Sequence, residues 1–441
     1  MAGHTDTNRE ILRLAVPALG ALVAEPLYVL ADTAVVGHLG TEALGGLAIA
    51  SAALLVGYNV CIFLAYGSTA AVARLMGADQ KAAAAHQAIQ SLWLAVVLGI
   101  GLAALGMAFT EPLLRLLGAG DNVLREATTY FRISLLGAPG MLLMLAGVGY
   151  LRGTKDTLRP LWVGIGTAVV NLALELVLIY GLDMGIGASA AATVAAQWLG
   201  AGFYLVWIGR EAGRHDVDLR PDIAAIRRLL VVGVDLLVRT ASLVGTFTLA
   251  TAVAARIGTV QVAAHQIAFQ TWFLLAMAMD AMAIAAQAMV GSLLGAGRAD
   301  EARRVGNRVI AWSMGIGLSL GVVLIAGVTA AGDTVPRIFS ADPAVIATVG
   351  FLLLHVAAMA PLSGLAFALD GILIGAGDQR FLAWAMGLSF SLFVPAAVAG
   401  RSLGAGIGWL WGAIWLFMAV RSALLYGRFR GPRWQVLGVA D

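Results

Sequence analysis

Long apolar stretches recur along the whole chain, and short segments between them hold most of the charged residues. A run of about 18 or more residues with few charges is long enough to cross a bilayer as a helix. The pattern predicts twelve such helices, and this even number places both termini on one side of the membrane. The expected ranges are 10–38, 44–73, 86–110, 124–150, 158–180, 187–208, 224–255, 262–292, 306–330, 345–374, 381–399 and 406–427.

The basic residues indicate which side the termini occupy. Most arginines and both lysines lie at the termini or in even-numbered connections. Arg74 and Arg421 are assigned to these segments. The odd-numbered connections hold Arg115, Arg125, Arg256, Arg337 and Arg401. Loops rich in Lys and Arg stay in the cytoplasm. We therefore expect a multi-pass protein of the cytoplasmic membrane with both termini cytoplasmic.

The two halves of the chain resemble each other. The motif "RLMGADQKA" aligns with "SLLGAGRAD", so that Gly77 meets Gly295. Further along, Pro139, Gly153 and Asp156 match Pro361, Gly375 and Asp378 at one common offset. With six helices in each half, these are parallel repeats, a common design of secondary transporters. Chance similarity between Gly/Ala-rich helices explains a single match but not a shared offset.

These repeats predict an all-α integral membrane fold of two pseudo-symmetric six-helix bundles. The longest polar segment, 209–228, follows helix 6 and divides the chain nearly in half. We expect an N-terminal lobe at 1–212, a cytoplasmic linker with the amphipathic start of helix 7 at 213–228, and a C-terminal lobe at 229–441. We expect the protein to be a monomer in contact with the lipid bilayer.

Composition narrows the chemistry. Of 441 residues, 60% are hydrophobic and 12% are charged, and the basic residues form no patch with interleaved aromatics, so no nucleic-acid partner is expected. The chain has one cysteine and six scattered histidines, which predicts neither a disulfide nor a metal site. P-loop, H-E-x-x-H and nucleophile-elbow motifs are missing. We therefore expect no enzyme activity and no cofactor, with an ion gradient as the energy source.

Acidic residues inside predicted spans are the candidate functional groups, because burial of a charge in a membrane is costly. The stretch "EPLYVLADTAVVGHLG" places Asp32 in helix 1. Glu175 falls at similar depth in helix 5, and Asn171 precedes it by one turn on the same face. Two carboxylates in one dehydrated cavity repel each other, which favours uptake of a proton near neutral pH. The alternative is that Asp32 only bonds a neighbouring helix as a structural contact.

Helix 1 carries two further features near this site. Pro17 and Pro26 each remove a backbone hydrogen bond, so we expect a bend there that could act as a gate beside Asp32. Glu25 lies one heptad before Asp32, roughly on the same face. It is a candidate for the mouth of a water-filled cavity.

Other polar and adaptable residues are candidates for lining a substrate cavity, although core packing is the alternative for most of them. Besides Glu25, these candidates are Tyr28, Tyr58, Asn59, Gln197, His265, Gln266, Trp272, Met277 and Asp280. On helix 7, the i to i+4 spacing of Asp235 and Arg239 predicts an internal, structural ion pair.

Several stretches resemble the multidrug and toxic compound extrusion (MATE) family, especially its DNA-damage-inducible protein F-like branch. They are "PLYVLADTAVVGHLG", "AAHQIAFQ", "AMDAMAIAAQAMVGSLLGAG" and "LDGILIGAGDQR". The resemblance implies a twelve-helix antiporter that exports cationic, amphipathic compounds in exchange for H⁺ or Na⁺. The family's helix-1 aspartate matches Asp32, and its helix-5 Asn-x-x-x-Asp pair matches Asn171 and Glu175, where this chain has the longer acid.

The function we expect is therefore proton-coupled efflux of cationic or amphipathic compounds by alternating access. A Na⁺-coupled version would use the same carboxylates with Asn171 as a neutral ligand. A third alternative is a flippase for lipid-linked precursors, which would need several basic groups to hold a pyrophosphate. Apart from the arginines assigned to the termini and connections, only Arg132 and Arg239 lie inside the predicted spans, which argues against the flippase.

Overall fold

The computed structural model describes residues 2–182, 184–332, 337, 340–402 and 404–438. Every regular element in this part of the chain is helical. Eleven helices are long and apolar enough to cross a membrane, and a bent helix pair makes a twelfth span. The predicted all-helical, twelve-span membrane fold is confirmed.

We number the spans in chain order. Spans 1 to 6 are Ala2–Gly37, Thr41–Cys61 with Phe63–Gly77, Lys81–Ala108, Asp121–Leu135 with Ala138–Gly153, Leu158–Leu176, and Ile186–Arg214. Spans 7 to 12 are Ile223–Ile257, Thr259–Gly295, Ala299–Ala331, Pro343–Gly375, Gln379–Ser402 and Ile407–Arg430. A short helix, Thr110–Leu116, lies between spans 3 and 4.

Three spans are less regular than the hydrophobic pattern predicted. Span 2 is interrupted at Ile62, and span 4 bends by 50° between its two helices. Pro139 lies at the start of the second helix of span 4, where its missing N–H interrupts no helical hydrogen bond. Span 5 continues after Glu175 into a π-helical turn, Val177–Gly181, an irregularity that is frequent at functional sites.

The chain divides into two compact units. One is Val16–Gly233, and the other combines Met1–Ala15 with Val234–Asp441. We call them the N-unit and the C-unit. The first turns of span 1 belong to the C-unit, where Asn8 accepts hydrogen bonds from Arg308 at 2.6 Å and from Trp312 at 3.0 Å. The predicted lobe boundaries at 212 and 229 remain a prediction, and residues 439–441 of the predicted C-terminal lobe are outside the described part.

Corresponding spans pack closely in each unit. In the N-unit, a Cβ atom at Gly149 of span 4 would collide with the backbone of Ala65 in span 2. In the C-unit, a Cβ atom at Gly371 of span 10 would collide with the backbone of Ala283 in span 8. Such small residues let membrane helices approach until their backbones touch. The two contacts occur at matching places in the repeats that the sequence predicted.

The segment before span 7 is fixed to span 3 within the N-unit. The Gln90 side chain donates to the Arg220 carbonyl at 3.0 Å and accepts from the Asp222 N–H at 2.8 Å, while the Trp93 indole donates to the Leu219 carbonyl at 2.8 Å. Asp222 in turn accepts from the backbone N–H groups at the start of span 7. These N–H groups, first that of Ala225, and the nearby His86 hold the pKa of Asp222 below its usual value.

Candidate functional site

The three predicted coupling residues lie together inside the N-unit. Asp32 of span 1 is 5% exposed, and Asn171 and Glu175 of span 5 are 2% and 0% exposed. Both helices present their polar groups at i to i+4 spacing, so that Tyr28 shares a face with Asp32 and Asn171 shares a face with Glu175. The helical period therefore directs four polar side chains into one place, which we call the N-unit pocket.

Span 6 supplies the groups that bond these side chains. The Ser189 hydroxyl donates to Asp32 Oδ1 at 2.7 Å. One turn later, the Thr193 hydroxyl accepts from Asn171 Nδ2 at 2.9 Å and lies 3.0 Å from the Tyr28 hydroxyl. Span 6 thus holds spans 1 and 5 in register through two hydroxyl groups.

Several acceptor atoms of the pocket remain without a donor. Both carboxyl oxygens of Glu175 and the Oδ1 atom of Asn171 are buried and have no hydrogen-bond partner among the described residues. Asp32 and Ser189 lie near the Glu175 carboxyl. Buried carboxylates need protons or cations to offset their desolvation. The pocket therefore has the chemistry to hold a proton or a small hard cation such as Na⁺, which prefers oxygen ligands.

The sequence did not single out three members of this pocket. Tyr130 is 4% exposed and interacts with Asp32 and Tyr28, and Ser189 and Thr193 form the span 6 contacts. The i to i+4 spacing of Ser189 and Thr193 was a usable signal, because it places two hydroxyls on one face of an alanine-rich helix. Tyr130 carried no comparable signal.

The remaining N-unit candidates are dispersed. Tyr58 of span 2 and Gln197 of span 6 are neighbours. Asn59 is exposed and donates back to the Leu55 carbonyl of its own helix at 2.9 Å, and Glu25 is also exposed. The two prolines predicted to form a gate, Pro17 and Pro26, lie inside one uninterrupted helix, and their gating role stays a prediction.

Two C-unit candidates for the substrate cavity are buried among aromatic side chains. His265 is fully buried and lies 3.3 Å from the Thr251 hydroxyl, and Trp272 donates to Ser363 at 3.2 Å. Trp272 also packs against Phe247 with ring centroids 4.6 Å apart. These aromatic contacts leave both side chains little surface for a ligand, which supports the core-packing alternative. Gln266 is exposed, and Met277 is half-buried.

Arg239 has an ion-pair partner that the spacing along span 7 did not predict. Arg239 of span 7 forms an ion pair with Asp370 of span 10, and its predicted pair with Asp235, the i−4 neighbour, stays a prediction. Arg421 of span 12 joins the same carboxylate at 2.5 Å. Spacing along one helix cannot reveal a partner that lies on another span. A buried arginine pairs with a buried carboxylate because the pair offsets the cost of burying each charge.

The C-unit therefore contains a buried charge cluster. Asp370 is 2% exposed and Arg421 is 0% exposed, and Asp280, predicted to line the substrate cavity, interacts with Arg421. The sequence predicted connection positions for both Arg421 and Arg74, and Arg74 is likewise buried, at 3% exposure. Two arginines and two aspartates balance each other in this cluster, whereas the N-unit pocket combines two acids with no basic member among the residues that the structure describes.

The fold and the buried polar pocket define a multi-pass membrane protein of the transporter class. A family model described as MatE matches residues 17–177 and 236–399, more than half of the chain. The chain belongs to the MatE family. Members of this family are transporters rather than enzymes.

Individual relatives agree with this assignment. Protein DETOXIFICATION 44, chloroplastic, of Arabidopsis thaliana is 33% identical, with 97% of this chain and 84% of the relative covered. DNA damage-inducible protein F of Escherichia coli (strain K12) is 26% identical, with 98% and 94% covered. A crystal structure of MATE in the bent conformation superimposes with a TM-score of 0.88 at 22% identity, covering 96% of this chain and 95% of that one.

Proposed function

We propose that this transporter exports cationic or amphipathic organic compounds in exchange for protons by alternating access, with Asp32 and Glu175 as the coupling groups. The observation that carries the proposal is the pair of buried acids in the N-unit pocket, with both Glu175 oxygens lacking a donor in the described part of the chain. A proton shared by these groups would relieve the repulsion between them.

A transport cycle follows from this chemistry. Protons enter the pocket from the outer side and neutralise the carboxylates. Their release to the cytoplasm restores negative charge, which attracts a cationic substrate, and the next protonation lowers that attraction. A substrate and a proton thus compete for the same charge, which is the thermodynamic requirement for exchange.

Sodium coupling is the second candidate, and a specific observation supports it. Asn171 Oδ1 is a neutral buried acceptor without a donor among the described residues, and it lies in the same pocket as Glu175 and the Ser189 and Thr193 hydroxyls. Such an all-oxygen set suits a hard cation. The flippase alternative has less support, because the positive charges of Arg239 and Arg421 are balanced by Asp370 and Asp280.

We also propose that both termini are cytoplasmic, that the protein lies in the cytoplasmic membrane and that it acts as a monomer. The distribution of arginine and lysine between even and odd connections supports the orientation.

The experiment is efflux of a cationic dye such as ethidium from reconstituted vesicles, with a pH gradient and a Na⁺ gradient imposed separately. Proton coupling predicts dye movement driven by the pH gradient in Na⁺-free buffer, and little movement driven by Na⁺ at clamped pH. Movement driven by Na⁺ alone would favour the second candidate, and movement with neither gradient would exclude coupled exchange.

A further inference from the structure

A basic cleft lies where spans 5 and 6 meet, close to the start of span 5 and the end of span 6. It has a volume of about 250 Å³ and is lined by Arg159, Trp207, Arg210, Glu211 and Arg214. The Arg159 guanidinium lies over the Trp207 ring, 3.6 Å from its centroid. This cation–π contact fixes one arginine at the side of the cleft and keeps its N–H edge available for other partners.

The cleft carries one positive charge that no carboxylate neutralises in the described part of the chain. Arg159 pairs with Asp156 at 2.9 Å, and Arg214 pairs with Glu211 at 2.5 Å. Arg210 is exposed. Among the described side chains, no carboxylate forms an ion pair with it. Three guanidinium groups and two carboxylates thus give a net charge of +1 and a surplus of N–H donors, which suits an anion with several acceptor oxygens.

An exposed apolar stripe leads directly to Arg210. Leu199, Phe203 and Val206 are 55%, 45% and 54% exposed, and with Arg210 they follow the i, i+4, i+7, i+11 pattern of one helix face. The stripe extends for about 16 Å at 1.5 Å per residue. In a membrane-spanning helix, such a face contacts acyl chains, and its charged end lies at the depth of the lipid headgroups.

Aromatic residues surround the point where the stripe meets the cleft. The Phe203 and Trp207 rings lie 5.6 Å apart, and Trp162 of span 5, one turn after Arg159, is 63% exposed. Tryptophans concentrate at the boundary between acyl chains and headgroups. Their position here indicates that the cleft lies at this boundary and not in the aqueous phase.

We propose that this cleft is a binding site for the phosphate group of an anionic phospholipid, whose acyl chains lie along the Leu199–Phe203–Val206 stripe. Arg210 donates to the phosphate oxygens, with Arg159 and Arg214 adding positive potential from either side. A basic pocket between membrane helices at the bilayer surface is a recognised type of anionic-lipid site. The continuous apolar stripe favours a lipid over free inorganic phosphate. The site rests on the membrane fold and is independent of the proposed coupling mechanism.

Native mass spectrometry of the detergent-purified full chain tests the site. The protein is incubated with phosphatidylglycerol, phosphatidylcholine or inorganic phosphate, and bound adducts are counted for the wild type, Arg210→Gln and Val206→Asn. Arg228→Gln is the matched control, because Arg228 is an exposed arginine of the same unit and outside the cleft. Arg210 and Val206 are both exposed, so we expect these variants to fold.

The expected result is retention of phosphatidylglycerol at least five-fold above phosphatidylcholine. We expect a loss of most of this retention in Arg210→Gln, a partial loss in Val206→Asn and no change in Arg228→Gln. Equal retention of both lipids, or equal loss in Arg210→Gln and Arg228→Gln, would overturn the proposal. Displacement of the lipid by millimolar inorganic phosphate, or an unchanged Val206→Asn variant, would instead indicate a phosphate site without a lipid.

Discussion

The Ser189 hydroxyl donates a 2.7 Å hydrogen bond to the carboxylate of Asp32, 157 residues earlier in the chain. Hydrogen bonds to charged groups contribute about 1.5–3 kcal/mol. Ser189→Ala should therefore change the charge state of the pocket while leaving the apolar packing intact. We expect substrate-triggered proton release by the purified protein to fall several-fold at constant pH. Ser91→Ala is the control, since Ser91 is a buried serine of the same unit that bonds Ser68 instead. Equal effects of the two variants would argue against a special role for Ser189.

Glu175→Gln separates the charge of the pocket from its shape. Both carboxyl oxygens are buried without a donor in the described structure, so replacing the acid by an amide removes a costly charge. We expect the melting temperature of the purified protein to stay the same or rise, while transport driven by a pH gradient falls at least ten-fold. Glu175→Asp keeps the charge and shortens the side chain by one methylene, so it should keep part of the activity. A fully active Glu175→Gln transporter would remove Glu175 from the coupling mechanism.

Asp370→Asn should destabilise the protein strongly. It deprives the buried Arg239 and Arg421 of the carboxylate that they share. Removing one partner from a buried ion cluster costs about 3–5 kcal/mol. The measurement is thermal unfolding in detergent, with Asp235→Asn as the control, because Asp235 is the partner that helical spacing alone suggested. If Asp235→Asn were the more damaging variant, the assignment of Asp370 as the counter-charge would be wrong.

The close packing of spans 2 and 4 should make Gly149 intolerant of a larger side chain. Gly149→Ala introduces a Cβ atom that collides with the Ala65 backbone, an overpacking change that costs about 1–3 kcal/mol. Gly166→Ala is the matched control, because no atom lies within 4 Å of the added Cβ and alanine is the better helix former. Thermal unfolding should show a loss for Gly149→Ala and no loss for Gly166→Ala. Similar stability of both variants would contradict the close approach of spans 2 and 4.

The hydrogen bonds that Asp222 accepts at the start of span 7 should depend on pH. Its pKa is lower in the folded protein than in the unfolded chain, so the ionised form stabilises the start of span 7. That contribution is fully present above the unfolded pKa, near 4, and is lost as the pH falls through the lower folded pKa. At pH 7, Asp222→Asn should speed amide hydrogen exchange in residues 216–226. In a more acidic buffer, below both pKa values, wild type and variant should exchange alike, and a difference that persists there would contradict this role.

The sequence predicted which residues meet in the N-unit pocket better than it predicted their contacts. The helical period was enough to place Asp32 and Glu175 at similar depth, with Asn171 one turn before Glu175, because each lies in a long apolar pattern. Ser189 and Thr193 are small hydroxyl residues in an alanine-rich span, and such residues are common in membrane helices without any site. Their hydrogen bonds to Asp32 and Asn171 arise from the packing of span 6 against spans 1 and 5.

The sequence pattern predicted neither the ion pair between distant spans nor the interruption of span 2. Asp370 and Arg239 are 131 residues apart, and nothing along either helix selects this partner over the nearby Asp235. Ile62, at the interruption of span 2, has neither the backbone freedom of glycine nor the missing N–H of proline. The residue pattern along a single helix indicates neither feature.

The most direct test of proton coupling at the N-unit pocket is a measurement of proton release when a cationic substrate binds. The purified protein is studied in weakly buffered, Na⁺-free detergent solution. The wild type should release protons in proportion to the substrate bound. Asp32→Asn should release few or none, while its melting temperature stays close to that of the wild type. Unchanged proton release by a folded Asp32→Asn protein, or substrate binding without proton release in the wild type, would contradict the assignment of Asp32 and Glu175 as the proton-coupling pair.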